Sequence, residues 1–147
     1  MPTDTSPPAG RRPAPDAVSP RFPALLRHGL RAGALYDAAF AVLMLAAPQV
    51  PARLLALPLP PLPAGAFYLW VMAVLLAMLA ALYLVAARDP ARYPAIVAVA
   101  AAGRIAGGLV LLAAAWRGPD LAGLYPLAAA DLGFGIAHAA AWGPVRR

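Results

Sequence analysis

The chain has no cysteine, no lysine and no glutamate. The absence of cysteine excludes a disulfide framework, a thiol nucleophile and iron–sulfur or thiolate zinc sites, and it removes any clue to redox compartment. All twelve basic residues are arginine and all six acidic residues are aspartate, so charge is sparse, at 12% of 147 residues. Polar surface is equally scarce. A hydrophobic content of 63% and a mean hydropathy of +0.71 lie outside the range of soluble globular domains, which leaves the bilayer as solvent. The net charge of +6 raises the question of nucleic acid. The arginines flank apolar runs and are not interleaved with stacking aromatics along a groove-sized patch, which argues against that partner. Neither a serine–histidine–acid set nor a phosphate loop is present.

What is present is a series of long apolar runs separated by proline and arginine. Residues 1–26 read as a disordered, Pro/Arg-rich cytoplasmic tail, because a composition with seven prolines between Met1 and Pro23 cannot bury enough apolar surface to offset the entropy of ordering. Arg11-Arg12 is not read as a twin-arginine signal, since Pro13 follows and no apolar run begins nearby. A transmembrane domain over 27–147 follows, with spans expected at about 28–47, 64–87, 93–116 and 121–142. The first is closed by Pro48, and Asp37 interrupts its apolar core, which distinguishes it from a signal peptide. Pro48 to Pro63 is too rich in proline for a spanning helix and too rich in leucine for a solvated loop. It reads as an interfacial connector with a helical turn around Ala52 to Leu57. Pro126 is expected to bend or loosen the first turns of the fourth span.

The expected fold is therefore all-α: a polytopic membrane protein built as a four-transmembrane-helix up-and-down bundle. Arginine placement orients it. With a cytoplasmic N-terminus, Arg11, Arg12, Arg21, Arg27, Arg31, Arg88, Arg92, Arg146 and Arg147 lie inside, and only Arg53 and Arg117 lie outside. Both termini are then cytoplasmic, in a bacterial inner membrane. Tyr68, Trp70, Trp116 and Tyr125 fall near the outer ends and Tyr83, Tyr93 and Trp142 near the inner ends, as expected for aromatic belts.

Three ionisable residues interrupt the spans near their centres. Asp37, Arg104 and Asp131 are each about ten to twelve residues from the end of their span, so at roughly 1.5 Å per residue all three fall near the bilayer midplane. A charge there costs about 2.5–3.5 kcal/mol on insertion scales, so each should face the bundle interior and find a partner. In an up-and-down bundle the fourth helix neighbours the third and the first. Asp131 can then meet Arg104 directly, and the long arginine side chain can reach across to Asp37. One carboxylate neutralises Arg104; the other is surplus and is a candidate to hold an exchangeable proton. His138, seven residues past Asp131, extends this intramembrane polar set on the same face. The set reads either as polar glue fixing helix register or as a proton- or ligand-handling site.

Gly103 and Gly107 form a GxxxG with Gly108 beside it, and Gly133 and Gly135 can act likewise in the fourth span, allowing close helix approach within the bundle or in a dimer. His28 and His138 fall at matched inner depth on adjacent helices, the arrangement that could ligate a haem. A histidine that caps or hydrogen-bonds a helix end is the commoner case. A metal between Asp37, Asp131 and His138 is disfavoured by the charge of Arg104.

Tyr36-Asp37, Leu57-Pro58-Leu59-Pro60, the run Ala86-Ala87-Arg88-Asp89-Pro90-Ala91-Arg92-Tyr93 and Gly103-Arg104 fall together in the chain. In these features the chain from about Arg27 onward resembles the small bacterial four-helix membrane proteins loosely grouped as DoxX-like. The resemblance implies a four-helix membrane bundle and places no catalytic residue. It also admits a role as membrane subunit of a quinone-linked oxidoreductase. The leading expectation is a structural or accessory protein that binds the bilayer together with a membrane protein partner or a second copy of itself, and no cofactor is expected. A quinone-binding redox subunit and a small proton-linked carrier are the alternatives.

Overall fold

A computed structural model describes residues 21–58 and 64–143. Over these residues the chain is helical: α1 (Arg21–Ala46), α2 (Gln49–Leu54), α3 (Ala64–Arg88), α4 (Pro94–Arg117), a 3-10 turn at Pro119–Leu121, and α5 (Leu124–Trp142). Among the described residues three helices are long and apolar enough to cross a membrane, over Ala24–Ala46, Phe67–Arg88 and Pro94–Arg117. α5 has 19 residues and carries Asp131 and His138. His138 is 1% exposed, whereas Ile136 on the outer side is 61% exposed.

The helix boundaries follow proline chemistry. α1 begins at Arg21, so residues 21–26, assigned from sequence to a disordered tail, are helical, and Leu26 is fully buried. Pro23 permits this because it stands in the first turn, where the missing N–H has no intrahelical partner to lose. The remainder of the expected tail, 1–20, lies outside the described residues. Pro94 opens α4 at its first position in the same way. Pro126 stands in the first turn of α5 and produces no break. The fourth long helix starts at Leu124, and the expected start near 121 is instead taken up by the 3-10 turn. The hairpin turn between α3 and α4 is tied by Asp89, whose side chain accepts from the Arg92 N–H at 3.3 Å.

The connector after α1 is ordered over α2, with Pro51 and Ala52 buried. Its end, around Leu55 and Ala56, folds back against the start of α5. A Cβ on Gly123 would overlap the Leu55 carbonyl, so this junction requires glycine. Ala56 adopts the left-handed conformation, with φ 49°.

Four long helices form two pairs: α1 packs along α3, and α4 along α5. The pairs meet through α1 with α5 and, more lightly, α3 with α4. The core is built mainly of alanine, including Ala34, Ala80, Ala86, Ala87, Ala100 and Ala141, with Leu26, Leu30, Tyr83 and Val97 as the larger members. Large apolar side chains such as Leu35, Val110 and Trp116 point outward. This inversion follows from the solvent: lipid is as apolar as leucine, so burying a leucine gains little, while small residues let helix backbones approach and gain dispersion contacts.

The α4–α5 seam shows the effect directly. A Cβ on Gly108 would lie 2.7 Å from Leu132 Cγ, and one on Gly135 would lie 2.7 Å from Ile105 Cγ1 and 3.0 Å from its backbone nitrogen. Gly103 and Gly133 have no neighbouring atom within 4 Å of the same position, and Gly107 meets only Asp131 Oδ2, at 3.5 Å. Close approach within the bundle is therefore carried by Gly108 and Gly135, while Gly103 and Gly133 face outward.

Candidate functional site

Arg104 lies mid-way along α4 and is 6% exposed. Its guanidinium presents five N–H groups in a rigid plane. Nη2 donates to Asp37 Oδ1 of α1 at 2.6 Å and to the Gly33 carbonyl of α1 at 3.2 Å. Nη1 donates to Asp131 Oδ1 of α5. The three midplane charges expected from sequence thus converge on one centre. Asp37 is fully buried, while the Asp131 side chain keeps 18% exposure.

Three aromatic rings complete the enclosure. The guanidinium carbon lies 5.2 Å from the ring centroid of Tyr36 and 5.5 Å from those of Tyr83 and Phe134. Such distances allow the negative ring faces to stabilise a desolvated cation. Tyr36 and Phe134 also meet each other, with centroids 5.8 Å apart. Arg104 therefore contacts all the other long helices: α1 through Gly33, Tyr36 and Asp37, α3 through Tyr83, and α5 through Asp131 and Phe134.

Sequence reasoning missed this aromatic shell. Tyr83 in particular was placed in an interfacial belt, yet it is 3% exposed and packs in the core. The signal available was helical spacing. Gly33 and Asp37 are four apart, as are Phe134 and His138, and Phe134 follows Asp131 by three, so each group shares one helix face. Nothing in the periodicity of α3 marked Tyr83, because that helix is apolar all round.

Not every polar atom is paired. Among the described residues, Asp37 Oδ2, Arg104 Nε and both ring nitrogens of His138 are buried with no hydrogen-bond partner. His138 belongs to an adjoining layer. Its ring lies edge-on to Tyr83, with centroids 6.3 Å apart, and tilted against Phe134 at 6.1 Å. It also rests on α1, where a Cβ on Gly29 would lie 3.2 Å from its Cδ2 and Nε2. His28 is exposed. Among the described residues, no group of three or more metal-ligating side chains is assembled.

No protein-family model, curated protein or solved structure matches this chain. The site must therefore be read from its own geometry: a cation held by two carboxylates and a carbonyl, screened from lipid by three rings. Such an arrangement holds helices together strongly, and it leaves one carboxylate beyond what neutralises the arginine.

Proposed function

We propose that the chain is a small structural or accessory protein of a bacterial inner membrane, a four-span up-and-down bundle that Arg104 latches shut. The observation carrying this reading is that one side chain contacts all the other long helices. A reactive site would leave its key group open to a substrate; here the guanidinium is enclosed by Tyr36, Tyr83 and Phe134 and is 6% exposed.

The fourth span is α5. At about 1.5 Å per residue its length is close to the hydrocarbon thickness, and its ionisable groups are turned inward, away from lipid. Arginine placement supports cytoplasmic termini, and reporters fused to either end test this. The DoxX-like resemblance agrees with such a bundle.

A double-mutant cycle tests the latch. Arg104→Leu lowers stability in lipid nanodiscs, and adding Asp131→Asn restores part of the loss, because the second change removes a carboxylate stranded by the first. Strictly additive losses would show that the two residues do not act together.

The unpartnered Asp37 Oδ2 favours a second reading, in which the surplus carboxyl exchanges a proton as part of a proton-linked carrier. Proton uptake by vesicles containing the protein, compared with Asp37→Asn, separates this from a purely structural latch.

A further inference from the structure

Leu26 and Leu30 share a cluster with Ala86 and Ala87, so the start of α1 meets the end of α3. Arg27, Arg31 and Arg88 are exposed at this end, and each has a definite place around its helix. On α1, Gly29 and Tyr36 meet His138 and Phe134 of α5. Arg27, Arg31, Ala34 and Ala38 follow one another at spacings of four, three and four and form the other flank, toward α3. Ala34 and Ala38 of that flank pack with Ala80 and Ala87. On α3, Ala73, Ala80 and Ala87 are buried at seven-residue spacing, and Arg88 stands just outside that row.

Depth agrees with rotation. A Cβ on Gly33 would lie 3.6 Å from Tyr83, which fixes a common level for α1 and α3. Arg27 precedes Gly33 by six residues and Arg88 follows Tyr83 by five, so both lie roughly 7–9 Å from that level toward the same end. Arg31 sits about one turn deeper than Arg27. The three cations therefore share the outer side of the α1–α3 seam.

The chain does not neutralise them. Among the described residues both salt bridges belong to Arg104, and Asp89, the acid beside Arg88, accepts from the Arg92 N–H. Arg92 itself lies over the Tyr93 ring at 5.7 Å. Unpaired guanidinium groups at the edge of a span call for an anion, and their planar fork of donors matches phosphate. The neighbouring residues say which phosphate. Leu35 follows Arg31 by four and Leu84 precedes Arg88 by four, and they are 73% and 51% exposed. On both helices the same face thus passes from cation to exposed leucine toward the membrane interior, the order of headgroup and chain in a phospholipid. A soluble anion would make no use of the leucines.

We propose that Arg27, Arg31 and Arg88 form a binding site for one anionic phospholipid, its phosphate held across the α1–α3 seam and its acyl chains laid along Leu35 and Leu84.

Native mass spectrometry of the full chain, titrated in detergent with phosphatidylglycerol or with phosphatidylcholine of the same acyl chains, tests this. The first phosphatidylglycerol is expected to bind at least about tenfold more tightly than phosphatidylcholine. Arg27→Gln, Arg31→Gln and Arg88→Gln are each expected to weaken phosphatidylglycerol about fivefold. Unchanged phosphatidylcholine binding would show that these surface variants remain folded. Arg92→Gln and Arg117→Gln, cations outside the seam, are expected to change binding by less than about twofold. A large excess of glycerol phosphate is expected to leave the lipid bound. Equal binding of the two lipids would overturn the proposal, as would equal weakening by all five variants, which is the mark of diffuse charge. Displacement by glycerol phosphate would overturn it in favour of a site for soluble anions.

Discussion

Contacts within the α4–α5 pair and contacts between the two helix pairs draw on close packing and polar contact in different proportions. Along α4 and α5, Gly108 and Gly135 bring backbones together in van der Waals contact with Leu132 and Ile105, and the Arg104–Asp131 ion pair adds one polar contact to that seam. Between the pairs the packing is lighter, and Arg104 of α4 reaches across to Gly33 and Asp37 of α1 and to the ring of Tyr83 on α3. The difference reflects what a bilayer rewards. Close packing of small residues works only where two helices run side by side over many turns. Where the facing surfaces meet over fewer turns, a charge that cannot be left in lipid supplies the attraction instead.

Breaking the polar contact should therefore have the largest effect. Arg104→Leu leaves the buried Asp37 and the part-buried Asp131 without their cation and is expected to cost about 3–5 kcal/mol. Its signature is specific: spin labels on α3 and α4 should show a broadened distance distribution, while labels on α4 and α5, whose seam keeps its Gly108 and Gly135 contacts, should broaden less. The native chain lacks cysteine, which makes such labelling clean. Equal broadening in both would erase the distinction between the two kinds of seam.

Gly135→Ala attacks the other seam. The added methyl meets Ile105 Cγ1 and backbone nitrogen, so overpacking of about 1–3 kcal/mol is expected in thermal unfolding, with the α4–α5 distance increasing. An unchanged stability would mean that this seam has slack the geometry does not show.

A smaller loss is expected for Asp131→Asn, about 1 kcal/mol, in the range measured for interhelical hydrogen bonds within membranes. Asp131 is the partly exposed member of the cluster, and Asp37 still neutralises the arginine. A loss as large as that of Arg104→Leu would move the centre of the latch from Arg104 to Asp131.

Gly103→Ala and Gly133→Ala mark the bottom of the scale. Both positions have open space beside the Cα, so stability should change by no more than about 0.5 kcal/mol. A clear loss accompanied by a change in oligomeric state would show that this outward face joins a second copy of the chain.

Much of this was legible in the residues. The apolar runs located the ends of the long helices to within about three residues, except that α1 begins at Arg21, well before the expected start near 28, because a bilayer demands uninterrupted hydrogen-bonded backbone over its full thickness and proline marks where that stops. Pro23 and Pro126 were harder to read, since a proline in the first turn of a helix looks the same in sequence as one that precedes it. The charges were legible for an energetic reason: Asp37, Arg104 and Asp131 are each too costly to face lipid, and their common depth left them one another as partners.

The rest required the packed bundle. Depth along an axis comes from counting residues, but rotation about the axis does not, and in helices apolar all round no periodic polar face announces which side is inward. Hence Tyr83 joined the shell around Arg104 rather than the interface, Gly108 and Gly135 rather than Gly103 formed the close seam, and His138 came to rest on Gly29. The sequence by itself determined that three charges must be buried and at what level. Only the tertiary structure decided which rings, carbonyls and glycines surround them, because that choice is made by side-chain shape across helices that hydropathy cannot tell apart.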